Sequence, residues 1–197
     1  MNMEQGMIHR KERVVITVID ILDELGIQGL STREIARRQG ISEGTLFRHF
    51  KNKNEIILAV LEHFSKFDRD IIQSIKLMQL MPRKAITYFI NAYSEYYENY
   101  PAITSVTQVL DELARDSELG GKVKSIFNCR RDFIRDMVVE GQRVKEFRGD
   151  FDSESLADVI SGISTSICFR WRMCGLGFPL KERILSTLDM ILDSFSK

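Results

Sequence analysis

Apolar residues spaced three and four apart run through almost the whole chain, and only three prolines interrupt its 197 residues. That spacing is the period of an α-helix with one buried face, and no stretch shows the strict alternation of a half-buried strand. The chain therefore reads as all-α, with about nine helices. Val14, Val15, Val18, Ile19, Leu22 and Leu25 make a first apolar stripe, closed by Gly26 at a helix C-cap. Ile56, Ile57, Val60, Leu61, Phe64 and Phe67 continue through Ile71, Ile75 and Met78, which predicts one long helix ending before Pro82. Residues 83–99 form the next, and Pro101 opens a short one to about residue 110. Val123, Ile126, Phe127, Arg130, Phe133, Ile134, Met137 and Val138 mark another, reaching toward Gly149. Two more are expected at about 153–174 and 180–195, divided by the stretch from Gly175 to Pro179. The first of these opens on an incomplete capping box at Ser153, whose N3 position is Leu156 where Glu or Gln would be needed.

Between the first stripe and the long helix the pattern tightens. Ser31 and Glu34 have capping-box spacing, with the Ser31 side chain accepting near Glu34 and the Glu34 carboxylate returning to the Ser31 amide. Ile35 and Ala36 supply a buried side, and Gly40 offers the left-handed residue that ends a helix and turns the chain. Ser42 caps a second short helix whose inner face is Leu46 and Phe50, and whose leading end, Gly44 and Thr45, is small. Asn52 with Glu55 then opens the long helix. Two short helices joined by a glycine turn, the second small in front and basic behind, form a helix-turn-helix pattern. A helix entering a major groove about 12 Å wide cannot lead with bulk, and its flanks need groups that reach phosphates. Arg48, His49, Lys51 and Lys53 are such groups.

Charge agrees, but only locally. The chain carries 28 basic and 28 acidic residues and is neutral as a whole. Over residues 31–53 six basic side chains (Arg33, Arg37, Arg38, Arg48, Lys51, Lys53) meet two acidic ones (Glu34, Glu43), a net of +4 that leaves −4 elsewhere. Helix pairs of this kind also occur in ordinary helical proteins, where a charge cluster is a solvated face. Three well-placed caps, the small leading end and the local charge together favour double-stranded DNA as the partner.

Other chemistry finds little footing. Cys129, Cys168 and Cys174 are odd in number and lack CxxC or Cys/His spacing, against both a disulfide framework and a metal site. A reducing, cytoplasmic setting is expected. The N-terminus places Glu4, His9, Arg10 and Lys11 where a secretory leader needs an apolar run, and no later stretch reaches the ~18 apolar residues of a membrane span. His9, His49 and His63 are scattered, and no H-E-x-x-H, G-x-S-x-G, P-loop or dinucleotide fingerprint is present. Neither an enzyme nor a bound cofactor is expected, and pairs such as Asp111 and Glu112 read as exposed helix charges.

Residues 30–60 resemble the DNA-binding head of the TetR family, the tetracycline-repressor-like bacterial transcriptional regulators. The run from Leu30 to Ala36, then Gly40, Ile41 and Ser42, then Gly44 to Phe50 and Lys53, follows that family's order and spacing. The resemblance implies a three-helix DNA-binding head over residues 1–53 and a helical ligand-binding and dimerisation body over 54–197. It places Thr32, Phe47, His49 and Lys53 at phosphate-contacting positions, and Arg33, Glu43, Gly44 and Thr45 facing base edges. Phe47 departs from the family's usual Tyr, so a hydroxyl-to-phosphate bond is expected to be missing. Glu43 repels phosphate; it either accepts from a cytosine amino group or caps its helix, with capping preferred. The function implied is a ligand-responsive regulator, more a repressor than an activator, that leaves a near-palindromic operator on binding a small apolar or amphipathic effector. The rival is a helical small-molecule binding protein without specific DNA binding.

In the body, Phe89, Tyr93, Tyr96, Tyr97 and Tyr100 form a stripe that is either core or, as the resemblance implies, part of an effector cavity. Met78, Phe127, Met137, Cys168 and Trp171 are further cavity candidates. Arg170 and Arg172 flank Trp171, as solvated charges or as partners for an anionic ligand. Leu156, Ile160, Ile163, Ile167 and Trp171 on one helix, and Ile184, Leu188 and Ile191 on the last, either close the protomer's core or meet a second copy in the homodimer the resemblance implies.

Overall fold

The computed structural model describes residues 3–196, with side chains from residue 10 onward. Among the described residues there are nine α-helices and no strand, only an isolated antiparallel bridge between Phe147 and Ser196. The helices are α1 Met3–Leu25, α2 Thr32–Gln39, α3 Glu43–Leu46, α4 Lys53–Met78, α5 Pro82–Asn99, α6 Ser105–Leu113, α7 Gly120–Arg143, α8 Ser153–Met173 and α9 Leu180–Phe195. A 3₁₀ turn, Pro101–Thr104, leads into α6. The expected bounds hold closely for α4, α5, α8 and α9. The cap of α8 is a correction: Asp152 accepts from the Ser155 amide at 2.8 Å, one residue before the expected Ser153.

By packing, the chain forms two compact units: Met1–Lys66 with Tyr100–Ile126, and Phe67–Asn99 with Phe127–Lys197. The boundary falls inside α4 and inside α7, on a different line from the expected division at residue 53. In the first unit Val14, Val15, Val18, Ile19 and Leu22 of α1 are buried with Ile35, Ala36, Leu46, Phe50, Ile56, Val60 and Leu61, as their spacing predicts. Leu25, at the end of that stripe, is exposed. Val106, Val109 and Leu113 of α6 close on Val18, Leu22, Ile57, Val60 and Leu61 around a void of only about 10 Å³. At about 1.5–3 kcal/mol per large apolar side chain, this shared seam makes α6 a wall of the head.

In the second unit α5 lies against α9 and α9 against α8. Arg83 ties the unit's ends together, bonding Asp193 Oδ1 and Ser196 Oγ, each at 2.6 Å, while its amide donates to Glu146 Oε2 at 3.0 Å. Phe147, fully buried, lies against Gly141, where even a Cβ would come within 2.3 Å of its ring.

Candidate nucleic-acid interface

Each piece of the 31–53 stretch is built by a local rule. Ser31 Oγ accepts from the Glu34 amide at 3.1 Å and starts α2. The return half of that capping box does not form, because both Glu34 oxygens are taken. Arg37 bonds them at 2.7 Å through Nε and Nη2, and Arg38 Nε adds a bond at 2.8 Å. Hydrogen bonds from Arg37 first, then Arg38, hold the Glu34 carboxyl down at about 2. Gly40 ends α2 at φ 65, left-handed as expected, with its amide bonding back to Ala36 and Arg37. Gln39 Nε2 ties α2 to α1 through Thr17 Oγ1 at 2.6 Å.

Ser42 then caps α3, accepting from the Thr45 amide at 3.1 Å, with the two hydroxyls 3.0 Å apart. The helix proper is one turn, Glu43–Leu46, prolonged by amide bonds from His49 to Leu46 and from Phe50 to Leu46. Leu46 and Phe50 are the buried pair that seats it. The cap expected of Glu43 is supplied by Ser42 instead. Glu43 Oε2 accepts from Thr32 Oγ1 at 2.6 Å, pinning the start of α3 to the start of α2 and engaging the Thr32 proton. Asn52 Oδ1 caps α4 through the Glu55 amide at 2.8 Å, and Glu55 Oε2 returns to the Lys51 amide at 2.5 Å.

Of the eleven residues read as DNA-binding, Arg33, Ser42, Glu43, Gly44, Phe47, Arg48, Lys51 and Lys53 are exposed, and Thr32, Thr45 and His49 half-buried. Phe47 shows its ring to solvent. The local +4 is unevenly usable: Arg37 and Arg38 are spent on Glu34, and Arg38 also on Glu24 at 2.8 Å. No carboxylate among the described residues bonds the side chain of Arg33, Arg48, Lys51 or Lys53. One cation escaped the sequence reading. Lys11 of α1 lies 5.2 Å from the Phe50 ring centroid, at the back of the same stretch; the basic run Arg10, Lys11 and Arg13 was its only signal.

The body candidates scatter. Phe89, Tyr93, Tyr97, Cys168 and Trp171 are buried in the second unit, Tyr96 is half-buried and stacks on Phe67 with centroids 4.2 Å apart, and Met78 and Phe127 are exposed. Tyr100 belongs to the first unit. The hydroxyls of Tyr93 and Tyr97 find partners inside the protein, as a packed core requires. Arg130 bonds both Asp68 oxygens at 2.5 and 2.9 Å and Tyr97 Oη at 2.9 Å, with its guanidinium 5.1 Å from the Tyr93 centroid. Tyr93 bonds Ser164, and burial pushes its phenol up to about 12. Trp171 Nε1 is buried with no acceptor among the described residues. A cleft of about 410 Å³ lies between α4 and α7 in this unit, lined by Ile72, Ile75, Lys76, Gln79, Leu80, Cys129, Asp132, Phe133, Asp136 and Met137. Met137 is the expected residue that reaches it. Arg170 is exposed and sits 4.9 Å from the Phe178 ring.

Ile160, Ile167, Ile184, Leu188 and Ile191 are buried within the protomer, and Ile163 is half-buried. The outward face of α8 and α9 is formed by Val159, Phe169, Met173 and Met190, of which Phe169 is 59 % and Met173 72 % exposed.

Comparison with known proteins agrees with this geometry. The family model described as "Bacterial regulatory proteins, tetR family" matches residues 20–60. The tetracycline repressor protein class C of Escherichia coli is 38% identical over 53 residues, 27% of this chain and 24% of that protein. A nucleoid occlusion factor, SlmA, of Haemophilus ducreyi is 23% identical over 150 residues, 75% of this chain and 73% of its own. In structure the chain resembles the ketosteroid transcriptional regulator KstR2 of Mycobacterium tuberculosis, at a TM-score of 0.80 and 21% identity, covering 95% of each. Among the described residues no helix is long and apolar enough to cross a membrane. Residues 20–60 thus match the helix-turn-helix head of the bacterial tetR-family regulators, and the chain as a whole shares the fold of the ketosteroid regulator.

Proposed function

We propose that the protein is a cytoplasmic, homodimeric, ligand-responsive repressor. Two heads set α3 into successive major grooves of a near-palindromic operator, and a small apolar or amphipathic effector in the body releases them. The observation that carries this is the exposed α2–turn–α3 stretch, with the side chains of Arg33, Arg48, Lys51 and Lys53 not tied to any carboxylate among the described residues.

Assembly is supported by α8, where Val159, Gly162, Ser166, Phe169 and Met173 recur at steps of three and four on one exposed face. Small and apolar side chains alternating this way suit close contact with a second copy. An effector site is supported by the α4–α7 cleft, whose volume of about 410 Å³ suits a small ligand and whose lining mixes Ile75, Leu80, Phe133 and Met137 with Lys76 and Asp136. Resemblance to a regulator described as a ketosteroid transcriptional regulator is in keeping with an apolar effector. Whatever its identity, the effector works only by binding the DNA-competent and DNA-incompetent arrangements unequally.

The test is a genomic binding selection with purified protein at physiological salt, followed by affinity against salt for the selected site. Wild-type protein should prefer a near-palindromic sequence. Lys53→Ala should weaken binding to all sequences and lower the salt slope by about one. Binding without sequence preference, or none, would sink the reading in favour of a helical small-molecule binding protein.

A further inference from the structure

Two polar contacts tie the chain at the start of α7 to the first turns of α4, both within the first unit. Asn54 Nδ2 donates to Glu118 Oε2 at 2.7 Å, and Lys122 Nζ bonds Glu62 Oε2. The segment carrying Glu118 is itself fixed, because Asp116 Oδ1 accepts from the amides of Glu118 and Leu119 at 2.8 and 3.1 Å. Leu119, Val123 and Ile126 are buried beside it. Asn54 follows Lys53, and the Asn52 cap lies one residue further back. Residues 116–122 lie some sixty positions beyond the helix-turn-helix in sequence, and nothing in its own folding calls for them.

We infer that Glu118 and Lys122 are positioning residues for DNA binding, holding Asn54 and Glu62 so that the first turns of α4 present Lys53 in one fixed place to the operator backbone. The inference rests on the DNA-binding reading above. The inner side of α4, Ile56, Ile57, Val60 and Leu61, is held by apolar burial, which has no directional preference and tolerates small rolls of the helix. Hydrogen bonds do have direction, and two of them, eight residues apart along α4, fix its rotation. Glu62 is more than half exposed, and exposed ion pairs add at most about 1 kcal/mol to stability. The clamp is therefore of little use for folding, while a misplacement of about 1 Å at a phosphate contact is enough to weaken a site.

The experiment uses the full chain and its selected operator, with affinity measured across a salt series and thermal melting measured beside it. Glu118→Ala with Lys122→Ala should weaken specific binding about three- to tenfold, the loss two exposed polar contacts can produce, and leave melting nearly unchanged. The salt slope should fall by about one, as in Lys53→Ala. In a Lys53→Ala background the clamp substitutions should cost nothing further, an interaction that general destabilisation would not give. Lys122→Glu alone should weaken binding, and adding Glu62→Lys should restore it. Clamp variants that bind like wild type, or whose losses simply add to that of Lys53→Ala, overturn the inference and leave the DNA-binding reading standing. Wild-type protein without sequence preference overturns both.

Discussion

Glu34 shows how one carboxylate serves a DNA-binding surface without facing it. By accepting from both Arg37 and Arg38 it removes two of the six basic side chains from the charge offered to phosphate and stiffens α2 in exchange. Its folded pKa of about 2 lies below the ordinary 4.5, so the stabilisation it gives is whole above that value and fades as pH falls toward 2. Denaturation midpoints measured between those limits should therefore lose part of their pH dependence in Glu34→Gln. An unchanged acid slope would mean that the arginine bonds are solvated away. Glu43 makes the complementary point. With one oxygen held by Thr32, its carboxylate has a fixed direction at the leading end of α3, which is the requirement for reading a base amino group.

At the scale of elements, the two short helices depend on their turn more than on their own length. A single turn of α3 is far below what stands alone in water, so its geometry comes from Ser42, from the buried Leu46 and Phe50, and from the angle set at Gly40. A Cβ at Gly40 would meet no neighbouring atom, yet φ is +65. Gly40→Ala should accordingly cost about 1–2 kcal/mol from backbone strain alone, with no clash, and weaken operator affinity by more than its stability loss explains. Chemical denaturation and operator titration of the same variant separate the two. If affinity falls only in step with stability, the turn angle does not set the reading geometry.

Within the second unit the outer face of α8 carries exposed Val159, Phe169 and Met173, and Met190 of α9 is exposed as well. Burial of the opposite face, through Ile160, Ile167, Ile184 and Leu188, is complete within the protomer, so what remains outward is available to a second copy. On the proposed assembly, Phe169→Glu with Met173→Glu should convert the dimer to a monomer in sedimentation, and should lower operator affinity sharply because two half-sites are no longer read together. A dimer that survives both substitutions would place the interface elsewhere. The Asp68–Arg130–Tyr97 cluster belongs to this scale too. It joins α4, α5 and α7 by buried, charge-assisted bonds, and so makes their arrangement specific where apolar contact alone would not.

The sequence by itself determined the helices, the turn and the reading end, because caps, helix period and the glycine turn are local: Ser31, Gly40, Ser42 and Asn52 act within four residues of themselves. It also marked most of the first unit's buried positions, since one buried face repeats every three or four positions, but it placed Leu25, Met78 and Phe127 on stripes where the structure leaves them exposed. Tertiary structure alone decided which buried face meets which partner. It made Arg130 and Ser164 the partners of the Tyr97 and Tyr93 hydroxyls; it turned Ile160 and Leu188 inward and left Phe169 and Met173 outside; and it brought Glu118 and Lys122 to α4. Those contacts join residues 33 to 71 positions apart, and the period of a helix carries no information about what lies across from it.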